Sequence, residues 1–190
     1  MNRIIFLAFS IIFITCSREA YSQQMSFDKT VLVGKEIDPY NSREIQVNRQ
    51  GEVYVAAYYK RLSTIGTTQL NTASTSNYAY SKGLLLAKYN ATGQFLWAMK
   101  VAECDTFKAF NFEIDETDHL YFSLGYNGTL YYLNDSIKSK GDSDILILKL
   151  DSLKNLQFAI PIGGSNGEGF YYSCLKISEK NEIVLGGYYN

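Results

Sequence analysis

Few residues in this 190-residue chain stand in patterns that could carry out chemistry, and each of those sits in a setting with an ordinary structural use. His119 is the only histidine. It would be the base of a Ser-His-Asp relay, but that chemistry also needs a nucleophile on a sharp strand-to-helix turn, and no such pattern occurs. His119 follows the turn Asp115-Glu116-Thr117-Asp118, and short polar side chains in turns bond their own backbone. With one histidine and the cysteines Cys104 and Cys174, the common zinc sets are absent. Asp142 and Asp144 carry oxygens of the kind calcium takes, yet no further acidic residue completes a calcium-loop spacing, so they form at most a partial site. Gly164-Ser165-Asn166-Gly167-Glu168-Gly169 has the glycines of a phosphate loop without its Lys-Ser/Thr and helix; Phe170-Tyr171 and a strand are expected next. Lys88 and Lys149 recur at one position inside apolar strands, where a lysine pairs with an acid of the neighbouring repeat or snorkels to an edge. No catalytic residue, cofactor or metal is assigned on this basis. Tyrosine is abundant, and Tyr78, Tyr80, Tyr131 and Tyr132, beside a variable loop, are the residues expected to touch a partner, because a tyrosine joins a large apolar face to a polar tip.

What must position these residues is a repeat. Val47-Asn48-Arg49-Gln50-Gly51-Glu52-Val53-Tyr54, Ile114-Asp115-Glu116-Thr117-Asp118-His119-Leu120-Tyr121 and Ile177-Ser178-Glu179-Lys180-Asn181-Glu182-Ile183-Val184 align without a gap, with a period in the sixties. Each reads as a hairpin whose turn opens on Asn48, Asp115 or Ser178 and closes on Gly51, Asp118 or Asn181, types that tolerate positive φ. A second hairpin recurs one period later: Leu86 to Ala98 aligns with Ile147 to Ala159. The first copy is the longer, and its extra residues fall in the Ser/Thr/Asn-rich stretch from Ser63 to Ser81. Strands in the second copy are expected over Phe110 to Ile114, His119 to Tyr126, Ile145 to Leu150 and Asn155 to Ile162. Ile145-Leu146-Ile147-Leu148 and Leu84-Leu85-Leu86-Ala87 are apolar on both sides, as in a strand covered on both faces. A four-stranded unit of this kind must stack on its neighbours to bury its faces.

Arg3, the apolar run Ile4 to Ile14 and the small residues Ala20 and Ser22 follow the order of a secretory signal peptide over residues 1–22, cleaved after Ser22. The run is well short of the roughly 20 apolar residues that span a bilayer. Lipidation at Cys16 is the alternative and the one route to a membrane, although Phe13 and Thr15 depart from the usual lipoprotein pattern. Losing Arg3, Arg18 and Glu19 takes the net charge from −1 to −2. No basic stripe exists to attract nucleic acid. Cys104 is expected in a loop and Cys174 within a strand, and secretion would permit a disulfide between them without requiring it.

The fold class expected is all-β: an incomplete β-propeller of about two and a half four-stranded antiparallel blades packed face to face. Residues 23–190 form the repeat region, with a leading strand over 27–34, blades near 42–108 and 109–164, and a partial blade over 165–190. A ring usually needs four to eight blades, so the remaining blades of a longer parent chain are expected partners.

The succession Asp144-Ile145-Leu146-Ile147-Leu148-Lys149-Leu150-Asp151, Phe158-Ala159 to Ile162-Gly163-Gly164, Ile177 to Asn181 and Ile183-Val184-Leu185-Gly186-Gly187-Tyr188 resembles the seven-bladed β-propeller repeat of bacterial secreted and surface proteins. Lys154 stands where the other copy has Gly93, which would move a positive φ to Asn155, and Ala102-Glu103 stand where the later copy has Gly163-Gly164. The resemblance implies a secreted, periplasmic or outer-surface location and a non-catalytic scaffold. The exposed loops and their tyrosines are expected to hold a glycan or protein ligand, and the charge balance points away from nucleic acid. The competing expectation is a fragment of a catalytic propeller, polysaccharide-degrading or quinoprotein-like, with active residues in other blades.

Overall fold

Alternating apolar and polar residues, β-branched side chains and short polar turns all favour strands. In the computed structural model, which describes residues 10–14, 27–32, 43–60, 62–72, 82–165 and 169–188, every regular element is a strand. The chain is all-β, with a strongly curled main sheet.

Strands β1 (Ser10–Ile14) and β2 (Phe27–Leu32) pair antiparallel in a sheet of their own. The run read as a leader thus contributes a strand, consistent with the β-branched Ile11, Ile12 and Ile14. The leading strand lies where expected, over most of 27–34, but its partner is β1 and not a strand of the repeat.

The repeat begins with β3 (Arg43–Val47) and β4 (Val53–Tyr59). A small hairpin follows, β5 (Leu62–Ile65) and β6 (Thr68–Asn71), then β7 (Lys82–Tyr89) and the 20-residue β8 (Phe95–Ile114). Next come β9 (Leu120–Tyr132), β10 (Asp135–Lys138), β11 (Asp144–Leu150) and β12 (Leu156–Ile162). A last hairpin is made by β13 (Gly169–Ile177) and β14 (Ile183–Tyr188). The main sheet runs β3-β4-β7-β8-β9-β11-β12, with β10 attached to β9.

Two antiparallel four-stranded meanders of identical topology are therefore present. Unit one is β3, β4, β7 and the first half of β8; unit two is the second half of β8, β9, β11 and β12. The two units are joined in one sheet, where separate sheets were expected. No glycine or proline interrupts Phe95 to Ile114, so the chain stays extended. Bulges near Cys104/Thr106 and Phe107/Ala109 supply the bend. Cys104 accordingly lies inside β8, not in a loop: it is buried, and its thiol donates to the Asn127 carbonyl at 3.3 Å. Cys174, on β13, is exposed, and the two cysteines are not joined in a disulfide.

Curling brings the back of unit one against the front of unit two. Tyr54, Ala56, Tyr58, Leu84 and Leu86 meet Phe110, Phe112, Phe122, Leu124, Leu146 and Leu148 in one core. Tyr58 packs edge-on to Phe110 with ring centroids 4.8 Å apart, and Phe112 stacks on Phe122 at 4.9 Å. Each such side chain contributes roughly 1.5 to 3 kcal/mol on burial. The back of unit two, through Ile145 and Ile147, packs in turn on Ile183 and Leu185 of the last hairpin. Leu120 and Phe122 occupy in unit two the positions that Ile183 and Leu185 occupy in the third copy. One interface, front on back, is therefore used twice.

The front of unit one is a separate cluster, in which Val53, Val55, Ala57 and Leu85 pack with Ile65 and Leu70 of the β5–β6 hairpin. That hairpin and the one formed by the end of β9 with β10 sit at equivalent places in their units, with Leu70 and Ile137 as counterparts one repeat apart. Neither was expected as a separate element.

Candidate binding surface

The recurring turns share one construction. In the first, the amide of Gly51 donates to the Asn48 carbonyl at 3.0 Å and that of Asn48 to the Glu52 carbonyl at 3.1 Å. The Asn48 side-chain oxygen then accepts from the amides of Gln50 and Glu52. Asn90, Asp115, Asp151 and Ser178 do the same two and four residues on. The closing residue is left-handed every time: Gly51 (φ 75°), Gly93 (79°), Asp118 (61°), Lys154 (73°) and Asn181 (61°). The expected closers Gly51, Asp118 and Asn181 are thus confirmed, while the positive φ expected at Asn155 falls on Lys154. The turn keeps its register despite the lysine, because Asp151 fixes it from the other end.

Stacking sets these turns beside one another. Asn48 donates to Asp118 at 2.9 Å, and Arg49 pairs with Glu116. Lys176 pairs with Glu113, and Gln46 donates to the Phe112 carbonyl at 3.0 Å. Lys88 lies 2.6 Å from Glu52 and over the Tyr54 ring, and Lys149 lies over the equivalent Tyr121 ring at 4.8 Å. The acid that Lys88 meets belongs to its own unit, because the turn ends there, whereas pairing with a neighbouring repeat or snorkelling to an edge was expected.

His119 is built into its turn. Its Nδ1 lies 3.0 Å from Asp115 and 2.7 Å from the Thr117 hydroxyl, which itself donates to Asp115. A relay needs the nucleophile and the acid on opposite ring nitrogens; here both contacts fall on Nδ1. Tyr121 also donates to Asp115, at 2.9 Å. Burial raises the Asp115 carboxyl, but donors from Thr117, His119 and Tyr121 outweigh it and hold the group down at about 2.

Asp144 is buried and accepts from the Lys140 amide at 2.9 Å, and the Asp142 carbonyl accepts from the Asn127 side chain. Gly163 sits against Asp144 so closely that a Cβ would overlap the carboxyl. Among the described residues no three metal-binding side chains gather, so Asp142 and Asp144 find no third acidic ligand there. The glycine-rich segment leads into β13, a strand as expected; residues 166–168 lie outside the described ones.

Of the four tyrosines expected to meet a partner, Tyr78 and Tyr80 lie outside the described residues. Tyr131 is 53 % exposed. Tyr132 is buried, its hydroxyl 3.3 Å from Asp135, because alternate residues of β9 face opposite sides. Near Tyr131 in sequence, Leu133, Asn134 and Asp135 from one turn and Lys154, Asn155 and Leu156 from another line an open cleft of about 440 Å³. Lys154 reaches out of its strained backbone to lie 4.5 Å over the Trp97 ring. The cleft is lined by two asparagines, an aspartate, a lysine and two leucines, residue types able to meet hydroxyl-rich or peptide ligands. Sequence reasoning missed it because its two turns are well separated along the chain and meet only through the curl of the sheet; the left-handed Leu133 and Lys154 give no sequence signal.

Compared with protein-family models, curated proteins and solved structures, the chain matches none.

Proposed function

We propose that the chain is a β-propeller segment of a secreted or surface protein, acting as a non-catalytic scaffold that presents its turns to a glycan or protein ligand. The observation that carries this reading is the repeated front-on-back stacking of four-stranded meanders, which commits the recurring polar residues to turns and to contacts between units. Asn48, Arg49, Glu113, Glu116, Asp118 and Lys176 all join one copy to the next. A stack of this kind is rigid, and function on such folds sits in loops. The cleft between the 133–135 and 154–156 turns is the surface that such a ligand would meet.

A glycan array probed with the purified chain tests the reading. Retention of a polysaccharide that falls about tenfold in Lys154→Ala and in Asn134→Ala, with unchanged far-UV dichroism, supports it; each substitution removes a polar contact of ordinary strength. Release of new reducing ends from the retained glycan would replace it by the catalytic alternative. The location has its own readout. In a bacterial host the exported chain is expected to begin at Gln23, and a lipid-bearing chain beginning at Cys16 would move it to the membrane surface.

A further inference from the structure

The cleft between the 133–135 and 154–156 turns holds a half-buried ammonium that the fold leaves without an acid. Lys88, Lys100 and Lys176 each pair with a glutamate, Glu52, Glu103 and Glu113 in turn. Among the described residues Lys154 pairs with no carboxylate; its ammonium rests 4.5 Å over the ring of Trp97, the chain's single tryptophan. The acids of the two turns are committed elsewhere. Asp135 accepts from the Ser136 amide at 2.7 Å and from the Tyr132 hydroxyl at 3.3 Å. Asp151 accepts from the amides of Leu153 and Asn155 and from the side chains of Asn155 and Gln157.

Backbone strain marks the same residue. Lys154 has φ 73°, where the equivalent turn of unit one has Gly93 at 79°. A side chain is strained in this conformation and glycine is not, yet unit two keeps the lysine, and strain held beside a cleft points to a task for the side chain. The rest of the lining suits a sugar. Asn134 is exposed, and among the described residues its side chain makes no hydrogen bond. Asn155 donates its amide to Asp151, which leaves its oxygen to accept. Leu133 and Leu156 supply apolar wall for the C–H face of a pyranose, and the volume of about 440 Å³ is that of a small-ligand site.

We propose that this cleft takes an acidic glycan: a uronate carboxylate draws the Lys154 ammonium from the Trp97 ring, while Asn134 and Asn155 meet the sugar hydroxyls. The inference rests on the scaffold reading above and names the class of ligand. An ammonium alone would accept an acidic peptide as well, but asparagines set among leucines match neighbouring hydroxyls and a C–H face, which a run of glutamates lacks.

Fluorescence titration of the purified chain reads the site directly, because Trp97 is the only tryptophan. The probes are hexameric oligouronates of the galacturonate and mannuronate series, their neutral methyl esters, and hexaglutamate. At least one free acid is expected to change the Trp97 emission saturably and to bind at least about tenfold more tightly than its ester, the effect of one charge-assisted contact. Lys154→Gln should erase that preference, and Lys154→Arg, which keeps the charge, should retain it. Lys154→Gly, which matches Gly93, should weaken acid binding at least about tenfold without lowering the thermal midpoint, because relief of strain offsets the lost ring contact. A lower midpoint with acid affinity unchanged would make Lys154 a packing residue and overturn the proposal. So would hexaglutamate binding as tightly as the oligouronates, or no binding of either acid. Equal binding of acid and ester also overturns it but leaves the scaffold reading standing, since that reading fails only when the glycan array retains nothing.

Discussion

The recurring turns explain, residue by residue, why the only histidine and the densest carboxylates sit together. Asp115 accepts from two backbone amides, the Thr117 hydroxyl and the Tyr121 hydroxyl, and lies within bonding distance of His119. Its carboxyl stands at about 2 instead of 3.8, and a depressed folded value means that stability is complete above pH 4 and declines as pH falls toward 2. By linkage the difference amounts to about 2 kcal/mol. Asp115→Ala should therefore lower the urea-unfolding free energy at pH 7 by about 2 to 3 kcal/mol, since it also strands the buried Tyr121 hydroxyl. The gap between variant and wild type should narrow at pH 2.5, and an equal gap at both pH values would show that the carboxylate's charge is not what the turn uses. Asn48 and Ser178 hold the same amides without a titrating group, so Asn48→Ala should cost about 1 kcal/mol at either pH.

Among the strands and hairpins, the small β5–β6 hairpin caps the front of unit one through Ile65 and Leu70. Its turn depends on Gly66, which has φ 57° and faces the Phe95 ring, where a Cβ would overlap. Gly66→Ala combines backbone strain with overpacking and should cost about 2 to 4 kcal/mol, read as a fall in the thermal midpoint. Val53, Val55 and Tyr59 lie under the same cap and should gain solvent access, visible as faster amide exchange along β4. Legibility divides along the same line. Elements with period-two alternation and an Asx residue or serine at the turn, such as Phe110 to Ile114 or the hairpin at Ser178, are readable in the chain because local chemistry determines them. The β5–β6 and β9–β10 hairpins, the unbroken β8 and the cleft beside Lys154 are not, because packing between units decides them. Leu133, which carries no turn signal of its own, takes φ 50° because its turn is imposed by pairing of Tyr132 with Asp135.

Across the assembled stack, equivalent residues have unequal worth, and this asymmetry distinguishes a stack of units from a set of independent hairpins. Ile45, Phe112 and Leu175 fill one position of the repeat, but unit one lies over Phe112 and unit two over Leu175. Independent hairpins would respond alike to truncation at all three. In a stack, Phe112→Ala opens a cavity between units and should cost about 3 to 5 kcal/mol, and Leu175→Ala about 2 to 5 kcal/mol, whereas Ile45→Ala removes a half-exposed side chain and should cost less than about 1 kcal/mol. Urea titrations on dilute protein provide the comparison. Tyr58→Ala, from the opposite side of the same contact, removes a ring packed on Phe107 and Phe110 at 5.0 and 4.8 Å. Combined with Phe112→Ala it should fall short of additivity by at least about 0.5 kcal/mol, because the two substitutions empty one shared interface. Full additivity would mean that the two meanders do not rely on each other for their cores.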